Sequence, residues 1–351
     1  MKLYFDVSCL SYEQITGIGN YTKQLFLHLN EISSGQLNPI SSISRLKRRK
    51  IIESHISQPI PLNLLNRYFY SDQTILHTPD HRQPIMRADV YVQTIHDVAM
   101  LEDYEFSNPN FKKTFAHRFN QLFQSEKIDH FVTVSHFTKN RVLAFFPHLE
   151  NKISVIHAGT TLPSTNPGNS ERYPWPYILC VGTIEKRKNT KTLVEAFEAI
   201  ASRNHELRLV LIGKEGYGSE DTLKAIDANP FKDRIIWRQF VSADELKTAY
   251  RYAEVFTMPS VYEGFGLPVL EALAFGCSVV CSDIEPFIEI GGDAIKTVSP
   301  YDAEAMASTI EEVYLNQETR ADLKKRALIQ AAGLSWSQCA QKTWNLYSEL
   351  I

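Results

Sequence analysis

The chain has 351 residues, 44% hydrophobic and 22% charged, with a formal net charge of −3. That length exceeds one ordinary core and predicts two domains, and the charge supplies no basic field for nucleic acid. Five scattered cysteines without a CxxC pair fit reduced thiols in a cytoplasm rather than a disulfide scaffold. No apolar run approaches the ~18 residues of a membrane span. The opening "MKLYFDVSCL" lacks a basic segment followed by an apolar one, so no signal peptide is expected.

In chain order, "KLYFDV" reads as a strand. Ile18, Tyr21, Leu25, Leu29 and Ile32 then recur at spacings of three and four, which predicts one face of a helix. The stretch 33–70 shows no clear period. "TILHTP", "VYVQTIHD", "HFVTVS" and "KISVIHAG" read as further strands. Between them "FKKTFAHRFNQLFQSEK" is helical, with Phe111, Phe115, Phe119 and Leu122 on one stripe. Residues 160–176, rich in Pro, Ser, Thr and Asn, read as a linker. The alternation then restarts with "YILCVGT", a helix near 190–203, "LRLVLIG", "RIIWRQF", a helix near 243–252, "VFTMPS", a helix from Pro268 and "SVVCSD". Strands alternating with helices imply a doubly wound parallel sheet in each half. "SWSQCAQKTWNLYSELI" is amphipathic, carries Trp336 and Trp344, and reads as a docking helix.

Ligands of open parallel sheets sit at the carboxyl ends of the strands. The glycine-rich and polar stretches fall there. "TGIGNYTKQL" reads as a strand-to-helix loop whose Gly17 and Gly19 let a phosphate approach the helix, or as an ordinary turn. His96 ends a strand, where it either contacts a sugar hydroxyl or is a satisfied surface histidine. Gly182 ends another, ahead of Lys186, Arg187 and Lys188 and a helix beginning near Asn189, which is a diphosphate site or a solvated basic turn. In "VYEGFGLPVLEAL", Pro268 suits the first helical position, so Gly264 to Leu267 form a tight loop. Glu263 heads that loop and Glu271 falls in the first helical turn, where a carboxylate also complements the helix dipole. A carboxylate accepts two hydrogen bonds from a vicinal diol such as ribose presents. "RLKRRK", 45–50, touches an anionic lipid or acceptor, or is simply exposed. His77 and His81 have HxxxH spacing, but Pro79 between them argues for two loop histidines, and no metal site is expected.

Together these motifs resemble glycosyltransferase family four, retaining enzymes of the GT-B fold. The resemblance covers most of the chain: "TGIGNYT", "IHD", "VTVSHFTKN", "VGTIEKRKN", "PSVYEGFGLPVLEALAFGCSVVCSD" and "EIGGDA". It implies two Rossmann-like doubly wound domains facing a central cleft. Residues 1–162 would form the acceptor-side domain, 163–175 a linker, 176–334 the nucleotide-sugar domain, and 335–351 a helix returning to the N-terminal domain. By resemblance, Gly17 and Gly19 approach donor phosphate or acceptor, and His96 lies at the reacting sugar. Gly182 borders the donor site, where Arg187 and Lys188 neutralise the diphosphate. Glu263 contacts the donor sugar with the N–H groups of Phe265, Gly266 and Leu267, and Glu271 holds the ribose. Many members carry Arg after the strand-ending glycine, where this chain has Thr183; Arg187 is then expected to supply that charge.

The function so implied is hexose transfer with retention, from a nucleotide-sugar to a glycan or lipid-linked acceptor. "GIGNYT" and "RKN" resemble a subgroup using GDP-mannose in bacterial surface-polysaccharide (lipopolysaccharide) assembly. No metal cofactor and no nucleic-acid partner are implied. The expected location is cytoplasmic, with a peripheral contact at the inner face of the membrane. The rival expectation is a non-catalytic nucleotide-sugar-binding or scaffold subunit of a polysaccharide complex. A nucleotide-dependent oxidoreductase fits less well, because "GIGNYT" lacks the third glycine of a dinucleotide loop.

Overall fold

The computed structural model describes residues 2–61, 73–102, 104, 109–162 and 171–351. The chain divides into two compact units, one built on Met1–Asp103, Pro109–Gly159 and Leu334–Ile351, the other on Thr160–Gly333 together with Tyr104. Each contains a six-stranded parallel sheet with helices on its faces. This is the doubly wound α/β architecture predicted from alternating strands and helices.

In the first unit the strands are β1 (Lys2–Asp6), β2 (Leu37–Ile40), β3 (Thr74–Thr78), β4 (Val90–Ile95), β5 (His130–Thr133) and β6 (Ile153–Val155). Their order is β2-β1-β3-β4-β5-β6, so the topological switch lies between β1 and β3. Every residue of β3 is buried, as expected of a strand covered on both faces. The flanking helices include α1 (Gly17–Ile32), α2 (Arg49–Ile56), α3 (Pro109–Phe123) and α4 (His136–Phe145). Helix α1 buries Tyr21, Thr22, Leu25, Phe26 and Leu29, and the expected stripe ends, Ile18 and Ile32, are only half-buried. Phe115, Phe119 and Leu122 of α3 reach a cluster with Phe131, Val142 and Phe146; the side chain of Phe111 lies outside the described residues.

Strand β2 falls in the stretch where no element was expected. It contains Pro39, which pairs in register with Phe5. Proline has no N–H to donate to a ladder, which confines it to positions such as sheet edges, and β2 is an edge strand. His77 is not on a loop either: it sits on β3 and is fully buried. Of the segment read as a linker, residues 163–170 lie outside the described residues.

The second unit has β7 (Tyr177–Val181), β8 (Arg208–Ile212), β9 (Ile235–Arg238), β10 (Val255–Met258), β11 (Val279–Ser282) and β12 (Ile295–Val298), in the order β12-β11-β10-β7-β8-β9. Its switch point lies between β7 and β10. Around the sheet run α5 (Thr190–Arg203), α6 (Glu220–Ala228), α7 (Ala243–Tyr252), α8 (Leu267–Ala274), α9 (Glu285–Gly291), α10 (Ala303–Leu315) and α11 (Gln317–Ala332). Leu193, Phe197 and Ile200 of α5 share one core with Met306, Ile310 and Val313 of α10.

The last helix, α12 (Trp336–Glu349), belongs to the first unit and packs on α1, as an amphipathic docking helix should. Ser335 and Gln338 form a capping box that fixes its start. It buries Trp336, Cys339, Ala340, Thr343, Leu346 and Tyr347. The Trp336 ring meets Tyr21 edge-on at 5.8 Å. Gly159 makes the approach possible, because a Cβ there would stand 2.2 Å from the Trp336 nitrogen. Tyr347 Oη is hydrogen-bonded to His77 Nδ1 at 2.5 Å, and His77 Nε2 to Thr94 Oγ1 at 2.7 Å. Burial, then the neighbouring His96, pushes the His77 pKa down to about 3, so the ring is neutral.

Candidate active site

The densest constellation lies at the carboxyl ends of β7 and β10, the switch point of the second sheet. Gly182 leaves β7 and donates its N–H to the Ile212 carbonyl at 2.9 Å. A 3-10 turn over Lys186–Lys188 follows, then Asn189 in the left-handed conformation (φ 52°), then α5. Asparagine tolerates that conformation better than most residues. Its Nδ2 also donates to the Pro259 carbonyl at 3.1 Å and the Pro300 carbonyl at 2.6 Å. Asn189 thereby ties the loop after β7 to those after β10 and β12.

This tie brings together residues about seventy-five positions apart. Arg187 Nη1 donates to the Tyr262 carbonyl at 3.0 Å and to Glu263 Oε2 at 2.9 Å, while Nη2 donates to Glu185 Oε1 at 2.9 Å. Lys188 Nζ donates to Glu263 Oε1, and Ser260 Oγ donates to the same oxygen at 2.9 Å. Glu263 is only 6% exposed. Burial alone would raise its pKa, but Lys188 and Arg187 overcome that and hold it at about 2. The result is a permanently ionised carboxylate clamped between two cations.

Helix α8 begins at Leu267, one residue earlier than Pro268 suggested. Gly266 stands before it at φ 109°, and a Cβ there would lie 2.6 Å from the Phe287 ring. The earlier start moves Glu271 out of the first turn, so a simple dipole role does not account for it. Glu271 Oε2 accepts a hydrogen bond from Tyr250 Oη at 2.9 Å. Burial raises its pKa to about 7, against the lowering effect of that hydrogen bond. Phe265 is buried in the loop ahead of the helix.

The remaining expected residues lie in the first unit. Gly17 and Gly19 are not in a loop: both sit in the first turn of α1, and Gly19 is buried against Ile15. The helix starts directly after Thr16, so the loop is confined to residues before the glycines. His96 follows β4 and is half-buried. Its Nε2 lies 2.9 Å from the Pro79 carbonyl, which can only accept, so the proton is on Nε2. Burial lowers its pKa, despite the Pro79 bond, and leaves Nδ1 of the neutral ring an acceptor. The Tyr21 ring stands edge-on at 4.7 Å. Ser135 caps α4, accepting from the Thr138 nitrogen at 3.0 Å.

Three participants escaped the sequence reading. Ser260 and Asn189 were inside quoted motifs without an assigned part. Tyr250 carried no local signal, because its partner is fixed by the packing of α7 near α8.

Comparison with known proteins follows the same division. The family model described as glycosyl transferases group 1 matches residues 169–329. The O-antigen chain mannosyltransferase B of Escherichia coli is 27% identical over 286 residues, 79% of this chain and 74% of that protein. The serotype-specific mannosyltransferase WbdA of Escherichia coli is 25% identical over 78% of this chain, which spans only 36% of that longer protein. Among solved structures, sucrose-phosphate synthase from Thermosynechococcus elongatus superposes with a TM-score of 0.73 at 17% identity, covering 100% of this chain and 99% of that one.

Proposed function

We propose that this chain, whose residues 169–329 match the glycosyl transferases group 1 model and which has the GT-B fold, is a retaining hexosyltransferase of surface-polysaccharide synthesis. The donor in this reading is a nucleotide-sugar, GDP-mannose, and the acceptor a glycan or lipid-linked glycan. The names of the mannosyltransferase relatives support the sugar. The observation that carries the reading is the clamp of Glu263 by Arg187 and Lys188 at the sheet switch point.

The roles follow from charge. Arg187 and Lys188, beside Gly182 and the start of α5, neutralise the diphosphate as it leaves, without a metal cofactor. Fixed cations aimed at developing negative charge need no reorganisation during the reaction. Glu263, with the N–H groups of Phe265, Gly266 and Leu267, holds the donor sugar. Glu271 accepts from the ribose hydroxyls. Neutral His96 accepts at Nδ1 from a hydroxyl of the reacting sugar, and the α1 start at Gly17 and Gly19 adjoins acceptor or phosphate. Attack from the face that the diphosphate leaves gives retention.

We also assign a peripheral contact with anionic membrane to the basic segment. Lys47, Arg48 and Lys50 are exposed there, and Arg48 stacks on exposed Tyr12 at 4.7 Å. No helix among the described residues is long and apolar enough to cross a membrane. Vesicle co-sedimentation that ignores anionic lipid content would remove this contact.

The direct test is thermal stabilisation by UDP, GDP, ADP and their sugar conjugates, followed by a transfer assay with anomeric analysis of the product. A hundredfold excess over the dissociation constant adds about 2.7 kcal/mol of stability. Stabilisation by GDP and GDP-mannose, with an α-linked product, is expected. Stabilisation without turnover over a broad acceptor panel would replace the enzyme with a binding subunit.

A further inference from the structure

We propose that Tyr250 is a positioning residue for nucleotide recognition: its hydroxyl holds Glu271 Oε2, so that Oε1 is the oxygen offered to the ribose hydroxyls. The proposal rests on the reading of Glu271 as the ribose ligand and adds to it the residue that orients the carboxylate.

The geometry is that of a mount. Tyr250 is 2% exposed near the end of α7. Its ring stacks on Phe275 at 5.5 Å and 14°, and meets Phe256 at 5.6 Å. The Tyr250 carbonyl accepts from Cys277 Sγ at 2.9 Å. Phe275 and Cys277 directly follow α8, the helix that bears Glu271. The tyrosine is therefore fixed at its ring and its backbone to the helix it serves, and its Oη lies 2.9 Å from Oε2. Oε1 has no hydrogen-bond partner among the described residues. A buried tyrosine hydroxyl normally finds an acceptor, but here the acceptor is a carboxylate with one oxygen left over. A glutamate with one oxygen anchored loses less side-chain freedom on binding a diol than one held by neither.

The electrostatics leave Tyr250 as the side chain that tunes Glu271. Burial raises the carboxyl to about 7 and the Tyr250 hydrogen bond lowers it. The other ionisable groups on elements near it are Cys277 after α8, Cys180 on β7, Cys281 on β11, Lys324 on α11, and Glu285 and Glu289 on α9; none contributes to the shift. The thiols are pushed up and stay neutral, and Lys324 acts on Cys277. Ionised Glu271 accepts from the diol hydroxyls more strongly than the neutral acid does, so nucleotide affinity rises with pH through the Glu271 pKa. Removing the Tyr250 hydroxyl raises that pKa and moves the rise to higher pH.

The test is calorimetric titration of the full chain with guanosine and uridine diphosphates, and with their 2′,3′-dideoxy forms, from pH 6 to 8.5. The variants are Tyr250→Phe, which keeps the ring, and Glu271→Gln. Ratios to wild type at each pH cancel the titration of the nucleotide itself. Tyr250→Phe is expected to lose about tenfold in affinity for the ribonucleotide at pH 7, to recover part of it by pH 8.5, and to bind the dideoxy form as wild type does. Equal losses for both nucleotides, or an unmoved pH profile, would overturn the inference and leave Tyr250 a packing residue. If Glu271→Gln still distinguishes ribo from dideoxy as wild type does, the ribose reading itself fails. Should Tyr250→Phe not fold, Phe275→Leu, which loosens the tyrosine ring, is expected to give the same pattern in weaker form; a loss indifferent to the diol counts against the proposal.

Discussion

Glu263 and Glu271 stand eight positions apart on one loop and helix, and their surroundings push them in opposite directions, to about 2 and about 7. Each has its own pH signature. The clamp on Glu263 stabilises the fold fully above the ordinary value of 4.5 and is lost as pH falls toward 2. The raised Glu271 does the reverse: it costs nothing below 4.5, and the penalty grows until about pH 7. Glu271→Gln is therefore expected to raise the melting temperature at pH 8 by roughly 5 °C and to leave it unchanged at pH 4, as scanning fluorimetry at both pH values would show. The same variant weakens nucleotide binding, a trade of function for stability common at sites. Glu263→Gln frees Arg187 and Lys188 from their carboxylate. It is expected to bind free nucleoside diphosphate several-fold more tightly while transfer falls about a hundredfold; unchanged diphosphate affinity would show that the phosphate meets neither cation. Each of these four side chains could be named from the sequence, since glycine, proline and charge mark the loops that bear them. Their convergence could not, because Lys188 and Glu263 are 75 residues apart and meet through Asn189. Tyr250 was invisible for the same reason: helical periodicity marks a buried face but not the carboxylate opposite it.

At the scale of elements, α12 shows how much one helix can hold. Tyr347→Phe leaves His77 Nδ1 buried without its partner and is expected to cost about 1–3 kcal/mol, measurable by urea unfolding. Gly159→Ala drives a Cβ into the Trp336 backbone and is expected to undock the helix, seen as protease sensitivity in 334–351. His77 adds a pH term. Its pKa of about 3 lies far below the ordinary 6.5, so stability is complete above 6.5 and falls as acid approaches pH 3. Ten of the twelve strands among the described residues were legible as apolar runs between turn signals. The two that were not, β2 and β12, are edges of their sheets. One contains a proline, and the other buries only its ends, so neither shows the continuous apolar run of a central strand. The α1 start was misplaced because glycines resemble a loop even when they open a helix.

The described residues form two compact units, each with its own sheet, core and covering helices. Calorimetry is expected to resolve two transitions, of which nucleoside diphosphate raises only that of Thr160–Gly333. A single transition displaced as a whole would mean that the units unfold together. The covalent route is less simple than the two cores. The first unit takes Leu334–Ile351, which follow the second unit in sequence, so a fragment 1–162 lacks the helix that covers Tyr21 and His77. During synthesis the first unit is therefore expected to be completed last, against the usual order in which the N-terminal domain folds first. At ~5–20 residues per second, residues 1–159 wait roughly ten to forty seconds for the segment that completes them. In that interval they are expected to be clients for chaperones, and a chain released before α12 is made is expected to be more open to proteolysis in its first half. Returning the helix makes the N-terminal fold conditional on reading the message through residue 347.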